Sequence, residues 1–146
     1  MIYVSIQAAP QSVTLLLLQV LAEIRASASD EQMLGFIRAV GGRIATQNPV
    51  TEIEDDAALV ATMNGFWSEL EWGHVSLSFS DDGIRIKHRG MPATLGGKSE
   101  THWNEIAPTL LLGIYDHWFQ SIGGGSSLRT WIHQSGEDYI ELVYGP

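Results

Sequence analysis

The spacing of apolar residues changes along this chain from a helical period to the alternation of a β-strand. Up to about residue 70, apolar side chains recur every three to four residues, as on the buried face of a helix. From Val75 they alternate with serines, and from Ile84 they alternate with Arg and Lys. A further helical stretch and a second alternating stretch follow. We therefore predict an α+β fold with the order ααα-ββ-α-ββ, in which an antiparallel sheet packs against helices.

Three helices are predicted before the first strand. Residues 11–26 are apolar around so much of their circumference that this helix should be buried on several sides. Ser29 and Gln32 have the spacing of a capping box that opens a second helix, and Thr51 and Glu54 have it for a third. The apolar face of the second helix is predicted to consist of Met33, Leu34, Phe36, Ile37, Val40 and Ile44. The first turn of the third is predicted to hold Glu52, Glu54, Asp55 and Asp56, where the helix dipole favours negative charge.

A fourth helix is predicted to run to about residue 120. Thr101 or Asn104 can cap it, and Pro108 falls at the edge of its first turn, where a missing N–H costs least. Its apolar residues leave almost no polar side, so we expect it to be the central helix of the fold. Glycines from Gly123 onward end it and let the chain turn into a second hairpin, with strands near 127–134 and 138–144.

The second hairpin carries apolar residues on both of its faces. The inward face is predicted to consist of Leu128, Ile132, Ile140 and Leu142. The opposite face carries Trp131, Tyr139 and Val143, which is not typical of a solvated sheet surface. We interpret this face as a contact between subunits, because aromatic residues are enriched in such contacts. A platform on which Trp131 stacks against a sugar ring is the alternative.

Length and charge restrict the classes of protein to which the chain can belong. It has 146 residues, which suits one compact domain spanning 1–146, with residues 1–11 as an N-terminal arm. The formal charge of −9 repels the phosphates of nucleic acids, so a nucleic-acid partner is not expected. The apolar run in the first helix is too short to span a bilayer and lacks the positive residues that precede it in a signal peptide.

Motifs that would indicate catalysis or a bound cofactor are missing from the sequence. There is no cysteine, no nucleophile elbow, no phosphate-binding loop and no dinucleotide fingerprint. The five histidines lack the spacing of metal ligands, and His88 is expected to be a hydrogen-bonded core residue. Glu69 and Glu71 are interpreted as a solvated helix terminus and not as a glycosidase pair. The sequence therefore predicts no enzyme activity, no metal and no cofactor.

Two adjacent glycines, Gly41 and Gly42, interrupt the second helix. Each costs about 1 kcal/mol relative to alanine within a helix. Close approach of another helix is the usual compensation, and Arg43 would then pair with a nearby acidic side chain. A phosphate site is the alternative, but no phosphate-binding loop accompanies it.

Four short motifs, in this order and spacing, resemble those of the D-subunit family of bacterial cellulose synthase. They are Val40-Gly41-x-Arg43-x-Ala45, Trp72-Gly73-x-Val75-x-Leu77, Arg85-Ile86-x-His88 followed by Pro92, and Leu111-x-Gly113-x-Tyr115-x-x-Trp118. The resemblance implies a non-catalytic accessory subunit that forms a ring, an octamer built from dimers. It further implies that this protein organises nascent β-1,4-glucan chains for export and crystallisation, together with other cellulose synthase subunits.

The same resemblance implies that the N-terminal arm lines internal passages for glucan. The residues expected to contact glucan are Ser5, Gln7, Gln11 and Ser12. Homo-oligomerisation is expected through Leu15 and Leu18 of the first helix and through Trp131, Tyr139 and Val143 of the last hairpin. The family has been described as periplasmic. Because no export signal is recognisable, we expect the cytoplasmic side of the inner-membrane synthase, with the periplasm as the alternative. The alternative function is a ligand-sensing or tethering scaffold, which a large enclosed apolar pocket would favour.

Overall fold

The computed structural model describes residues 11–50, 54–95, 97, 102–123 and 127–146. In this part of the chain it contains four helices and one four-stranded sheet, which confirms the predicted α+β class and element order. The elements are α1 (Gln11–Ser27), α2 (Asp30–Gln47), α3 (Asp56–Leu70), β1 (His74–Ser80), β2 (Gly83–Arg89), α4 (Trp103–Gly123), β3 (Arg129–Ser135) and β4 (Tyr139–Gly145).

The sheet has the order β1-β2-β4-β3, and every neighbouring pair is antiparallel. Its inner face packs on the helices, because alternate residues of the strands are apolar and buried there. The predicted inward residues of the second hairpin are confirmed: Ile140 and Leu142 are buried, and Leu128 and Ile132 are partly buried against the same core. A bulge between Ile132 and Gln134 interrupts the register of β3 with β4.

Helix α4 is the central helix, as predicted, and packs between α2 on one side and the sheet on the other. Its start differs from the prediction. His102 adopts a left-handed conformation with φ of 55°, and its carbonyl accepts hydrogen bonds from the N–H groups of Glu105 and Ile106. The helix therefore begins at Trp103, and Pro108 is an interior residue instead of a first-turn residue. Asn104 lies inside the helix, and Thr101 is outside the described residues.

The capping box of α2 is confirmed, because Ser29 and Gln32 exchange side-chain to backbone hydrogen bonds. The prediction for its apolar face is partly wrong. Leu34 and Phe36 are 44% and 45% exposed, since the buried row follows i, i+4 spacing from Met33 to Ala45.

The predicted start of α3 is also wrong. Asp55 is its N-cap and accepts from the Ala58 N–H, whereas Thr51 lies outside the described residues. Of the predicted first-turn acids, Asp56 is confirmed. The helix thus begins where an aspartate side chain can accept from a free N–H of its first turn.

Both edge strands of the sheet receive hydrogen bonds from helix side chains. Asn64 of α3 donates to the Val75 carbonyl of β1 and accepts from the Val75 N–H, at 3.0 and 2.7 Å. Asp116 of α4 accepts from the Thr130 N–H of β3 at 3.0 Å. Backbone groups at these edges would otherwise be unpaired. The two contacts fix the sheet to the helical layer at opposite edges.

Candidate functional site

Five of the ten exposed large apolar side chains of the described residues lie on α1, and most of them form one surface. We call it the α1 apolar face, and it consists of Val13, Leu16, Leu17 and Val20, which are 39 to 66% exposed and share one side of the helix. The expectation that α1 is buried on several sides is therefore wrong for the single chain, in which Leu21 is the one buried residue of the helix. The reason is positional, because α1 packs mainly on α2 and lies outside the central layers. Contiguous exposed apolar surface of this kind is typical of a protein contact.

The predicted interface residues Leu15 and Leu18 occupy different positions on α1. Leu15 is 59% exposed but lies about 100° around the helix from Leu16, outside the α1 apolar face, whereas Leu18 is partly buried. Leu34 and Phe36 of the neighbouring helix α2 add further exposed apolar surface. A charged residue in place of Leu15 would therefore meet solvent in the single chain and a partner surface in an assembly.

Of the four residues predicted to contact glucan, the structure describes two. Gln11 and Ser12 are exposed and form the start of the first turn of α1. Ser5 and Gln7 lie outside the described residues. Gln11 and Ser12 directly precede the α1 apolar face in the sequence.

The outer face of the sheet carries the other predicted interface residues. Val143 is already buried, at 9% exposure, and Trp131 and Tyr139 are partly buried. The guanidinium of Arg129 lies 6.0 Å from the Trp131 ring centroid, and the ammonium of Lys87 lies 4.6 Å from that of Tyr139. These cation–π contacts were not expected from the sequence, although the alternation of cations along β2 was visible there.

His88 is a hydrogen-bonded core residue, as predicted, and has no exposed surface. Its Nε2–H donates to the Trp72 carbonyl at 2.7 Å, because a carbonyl can only accept. Nδ1 lies 2.7 Å from the Tyr115 hydroxyl, which donates to the neutral ring. Desolvation lowers the pKa of His88 to about 4, with His74 contributing in the same direction, and the Trp72 hydrogen bond opposes this shift. Burial raises the pKa of Tyr115 well above its usual value.

Aromatic rings surround this polar pair. The Trp67 ring centroid is 4.7 Å from that of His88, and the centroids of Tyr115 and Trp118 are 5.7 Å apart. A neutral, fully enclosed imidazole cannot reach a substrate, so its role is to join β2, the residues leading into β1 and α4 in one core. Such buried networks are strong only when each member is paired.

Other groups considered for chemistry are dispersed over the surface. Glu69 lies in the last turn of α3, and Glu71 is its C-cap in a left-handed conformation with φ of 56°, which confirms a helix terminus. Within the described ranges no three His, Asp or Glu side chains converge as metal ligands. A cavity beside His88, Trp103 and Ile140 has a volume of about 120 Å³. That is smaller than the roughly 300 Å³ at which ligand pockets begin, and the larger hollows on α2, α3 and α4, of about 320 to 420 Å³, are shallow and open to solvent.

The close approach predicted for the glycines of α2 is made by Gly41 alone. A Cβ at Gly41 would lie 2.5 Å from the Leu110 carbonyl oxygen, whereas one at Gly42 would meet no atom within 4 Å. Arg43 does not form the predicted ion pair with any of the described residues. Arg38 makes it instead, with Asp116 of α4 at 3.7 Å, because Arg38 lies on the side of α2 that faces α4.

None of the helices in the described part of the chain combines the length and the apolarity needed to cross a bilayer. No curated protein matches this sequence. The family model for the D subunit of cellulose synthase matches residues 1–145, which is nearly the whole chain. That match agrees with the resemblance carried by the four motifs. The chain therefore belongs to the cellulose synthase D-subunit family, and so to the accessory subunits of cellulose synthase.

Proposed function

We propose that this chain is a non-catalytic accessory subunit that assembles into a ring-like oligomer and guides nascent β-1,4-glucan chains for export and crystallisation. The family assigns the coarser role, which is participation in cellulose synthesis with other synthase subunits as partners. The ring, an octamer built from dimers, and the guidance of glucan are the proposal.

The α1 apolar face is the observation that carries the assembly part of the proposal. Five apolar side chains on one helix are 39 to 66% exposed, and two more, on the neighbouring helix α2, are exposed as well. Single chains rarely leave apolar surface of this extent open to water. A second copy with the same face would cover it by an isologous contact, and dimers of this kind can be repeated around a closed ring.

The N-terminal arm supports the glucan part. Ser5, Gln7, Gln11 and Ser12 supply polar groups suited to sugar hydroxyls, in the segment that directly precedes the α1 apolar face. If copies associate through that face, the first turns of their α1 helices lie beside the same contact. The arms would then be gathered inside the assembly, where a polymer could pass between them.

Two further parts of the proposal concern the sheet and the compartment. Trp131, Tyr139 and Val143, which the sequence predicts as part of an oligomer interface, are proposed as a second protein contact, on the face of the sheet that does not pack on the helices. We propose the cytoplasmic side of the inner-membrane synthase as the site of action, with the periplasm as the alternative. The ligand-sensing alternative would need a large enclosed apolar pocket, and neither the small cavity beside His88 nor the open hollows on the helices supplies one among the described residues.

Light scattering on the purified protein tests assembly first. The proposal expects a mass several times that of the 16.0 kDa chain at micromolar concentration. A monomer at that concentration would remove the main support for the ring.

Cello-oligosaccharide binding tests the arm. Deletion of Met1 to Gln7 should leave the number of copies in the assembly unchanged and should weaken binding of the oligosaccharide. Equal binding by the truncated protein would exclude the arm as the glucan contact. Neither form should turn over a glucan or a nucleotide sugar. Turnover abolished by a point substitution in this chain would contradict the non-catalytic role.

A further inference from the structure

The outer face of the sheet is basic, although the chain as a whole is acidic. We call this surface the cationic sheet face, and it contains Arg85, Lys87, Arg89 and Arg129. These are four of the eight Lys and Arg residues in a chain of net charge −9. Successive side chains of a strand point to opposite faces of the sheet. The cations lie on the outer face because their strand neighbours Ile86, His88 and Thr130 are buried on the inner face.

The strand register arranges this face in rows. Ser78, Arg85, Val143 and Trp131 form one row across the four strands, and Ser76, Lys87, Glu141 and Gln134 form the next. His74, Arg89 and Tyr139 form a third. The half of the face built by β1 and β2 thus presents hydroxyls, an imidazole and cations, with no carboxylate. This composition suits an anionic ligand.

Residues of β4, of β3 and of the connection between these strands contact the four cations. Only two of the cations have a carboxylate as their partner among the described residues. Arg85 lies 3.3 Å from Glu141, and Arg89 lies 4.0 Å from Asp138. Lys87 lies over the Tyr139 ring and Arg129 over the Trp131 ring, and neither has an ion-pair partner among the described residues. Because each ring already has a cation over it, the two aromatics serve better as supports for these cations than as platforms for sugar.

The ends of the face limit the size of its ligand. The exposed pair Asp81 and Asp82 forms the turn at one end, and the exposed pair Glu137 and Asp138 forms the connection at the other. The cations of β2 repeat every two residues, which is about 6.6 Å along a strand. Alternate side chains of an extended polypeptide repeat at the same distance. A long polyanion such as a nucleic acid would pass the end of the face and meet the acidic turns.

We infer that the cationic sheet face binds a short, extended, acidic polypeptide segment of another protein, with Asp or Glu at alternate positions. An isologous contact with a second copy is disfavoured, because it would set Arg85, Lys87 and Arg89 close to the same cations across a two-fold axis. The face is also separate from α1, which packs on α2 and not on the sheet. This inference therefore does not depend on assembly through α1 or on glucan binding.

Fluorescence anisotropy with the full-length protein and synthetic peptides tests the inference. The probe is a labelled ten-residue peptide in which Glu alternates with Ser, and its control has Gln in place of Glu. We expect the Glu peptide to bind at low salt, and more weakly as salt rises through about 0.1 M, where the Debye length is about 10 Å. The Gln peptide should not bind.

Substitutions locate the binding. The double variant Lys87→Ala with Arg129→Ala should weaken binding of the Glu peptide about tenfold, because both cations lack a carboxylate partner among the described residues. Arg43→Ala removes an exposed cation of α2 and should change binding by less than about twofold. Equal weakening by Arg43→Ala, or no binding of the Glu peptide, would overturn the inference.

Two further measurements distinguish an acidic polypeptide from a nucleic acid and from a second copy of this chain as the ligand of the cationic sheet face. A ten-nucleotide thymidine strand should bind more weakly than the Glu peptide, and tighter binding that depends on Lys87 and Arg129 would indicate a nucleic-acid surface instead. Light scattering should give the same mass for the double variant and the wild type. A smaller mass would mean that a second copy occupies this face and would also overturn the inference.

Discussion

Gly41 of α2 and Gly113 of α4 face each other at the point where the two helices cross. A Cβ on Gly41 would lie 3.1 Å from the Gly113 Cα and 2.5 Å from the Leu110 carbonyl oxygen, and a Cβ on Gly113 would collide with the Arg38 carbonyl oxygen. Both helices therefore approach by backbone contact. This explains why α2 tolerates a glycine in its interior, where glycine is otherwise unfavourable.

Gly41→Ala should lower the free energy of unfolding by about 2 kcal/mol, because the new methyl group meets backbone atoms that cannot move separately. Gly42→Ala is the matched control on the adjacent residue, where a Cβ meets nothing within 4 Å. It should raise the free energy of unfolding by up to about 1 kcal/mol. Urea denaturation at one fixed protein concentration measures both. Equal effects of the two substitutions would contradict the close packing assigned to Gly41.

Stability should fall as the pH falls from about 6.5 to about 4 because of His88. The pKa of this residue is about 4 in the folded chain and near 6.5 when unfolded, so within this window the unfolded state binds more protons. The stability is complete above pH 6.5 and lost progressively toward pH 4. The shift corresponds to a loss of about 3 kcal/mol.

His88→Gln isolates this contribution from that of the carboxylates. Gln cannot titrate, and its amide can still donate to the Trp72 carbonyl and accept from Tyr115. Between about pH 7 and about pH 4 the wild type should lose about 3 kcal/mol more than the variant in chemical denaturation. Parallel pH profiles of the two proteins would show that His88 does not titrate as described.

Leu15→Glu should dissociate the proposed assembly while leaving the helices intact. Leu15 is 59% exposed in the single chain, so the charge costs little there, whereas an unpaired charge buried in a contact costs several kcal/mol. Thr62→Glu adds the same charge to an exposed polar position of α3, away from α1, and should not dissociate it. Sedimentation velocity and circular dichroism provide the two readouts. An unchanged mass for Leu15→Glu would exclude this part of α1 from the contact.

Asn64→Ala should lower the free energy of unfolding by about 1 to 2 kcal/mol, because it leaves the N–H and the carbonyl of Val75 without their partner at a part-buried edge. Thr62→Ala, on the exposed side of the same helix, removes only a bond to the Ala58 carbonyl and should change stability by less than about 0.5 kcal/mol. Thermal unfolding of the two variants makes the comparison. A loss of stability in Thr62→Ala as large as in Asn64→Ala would show that α3, and not the sheet edge, is affected.

Elements with a strong local pattern were predictable from the sequence. The alternation after Val75 indicated the first hairpin, because period two is incompatible with a helix, and the Ser29 capping box indicated the start of α2. The helix starts that failed depend on backbone conformations without a pattern of their own. The left-handed His102 precedes α4, and Asp55 caps α3 although Thr51 has the better motif spacing.

The candidate surfaces were predictable only in part, for a related reason. An apolar α1 was evident, but whether the single chain covers it depends on where the helix packs. Leu34 and Phe36 were assigned to the buried face of α2 and are exposed, because a helix has several apolar sides and its neighbours select one. The cations above Trp131 and Tyr139 depend on which residues lie beside each other across strands.

The sequence by itself determined the α+β class, the order of the elements, the central position of α4 and the family, since each follows from local periodicity or from motifs in a fixed order. Tertiary structure alone decided which surfaces remain open. Burial depends on pairs of elements that are distant in sequence. Helix α2 packed against α4 excludes water from Gly41, while α1, outside those layers, leaves Leu15, Leu16 and Leu17 exposed. The gathering of half of the cations on one sheet face likewise arises from the pairing of β2 with β4 and of β4 with β3.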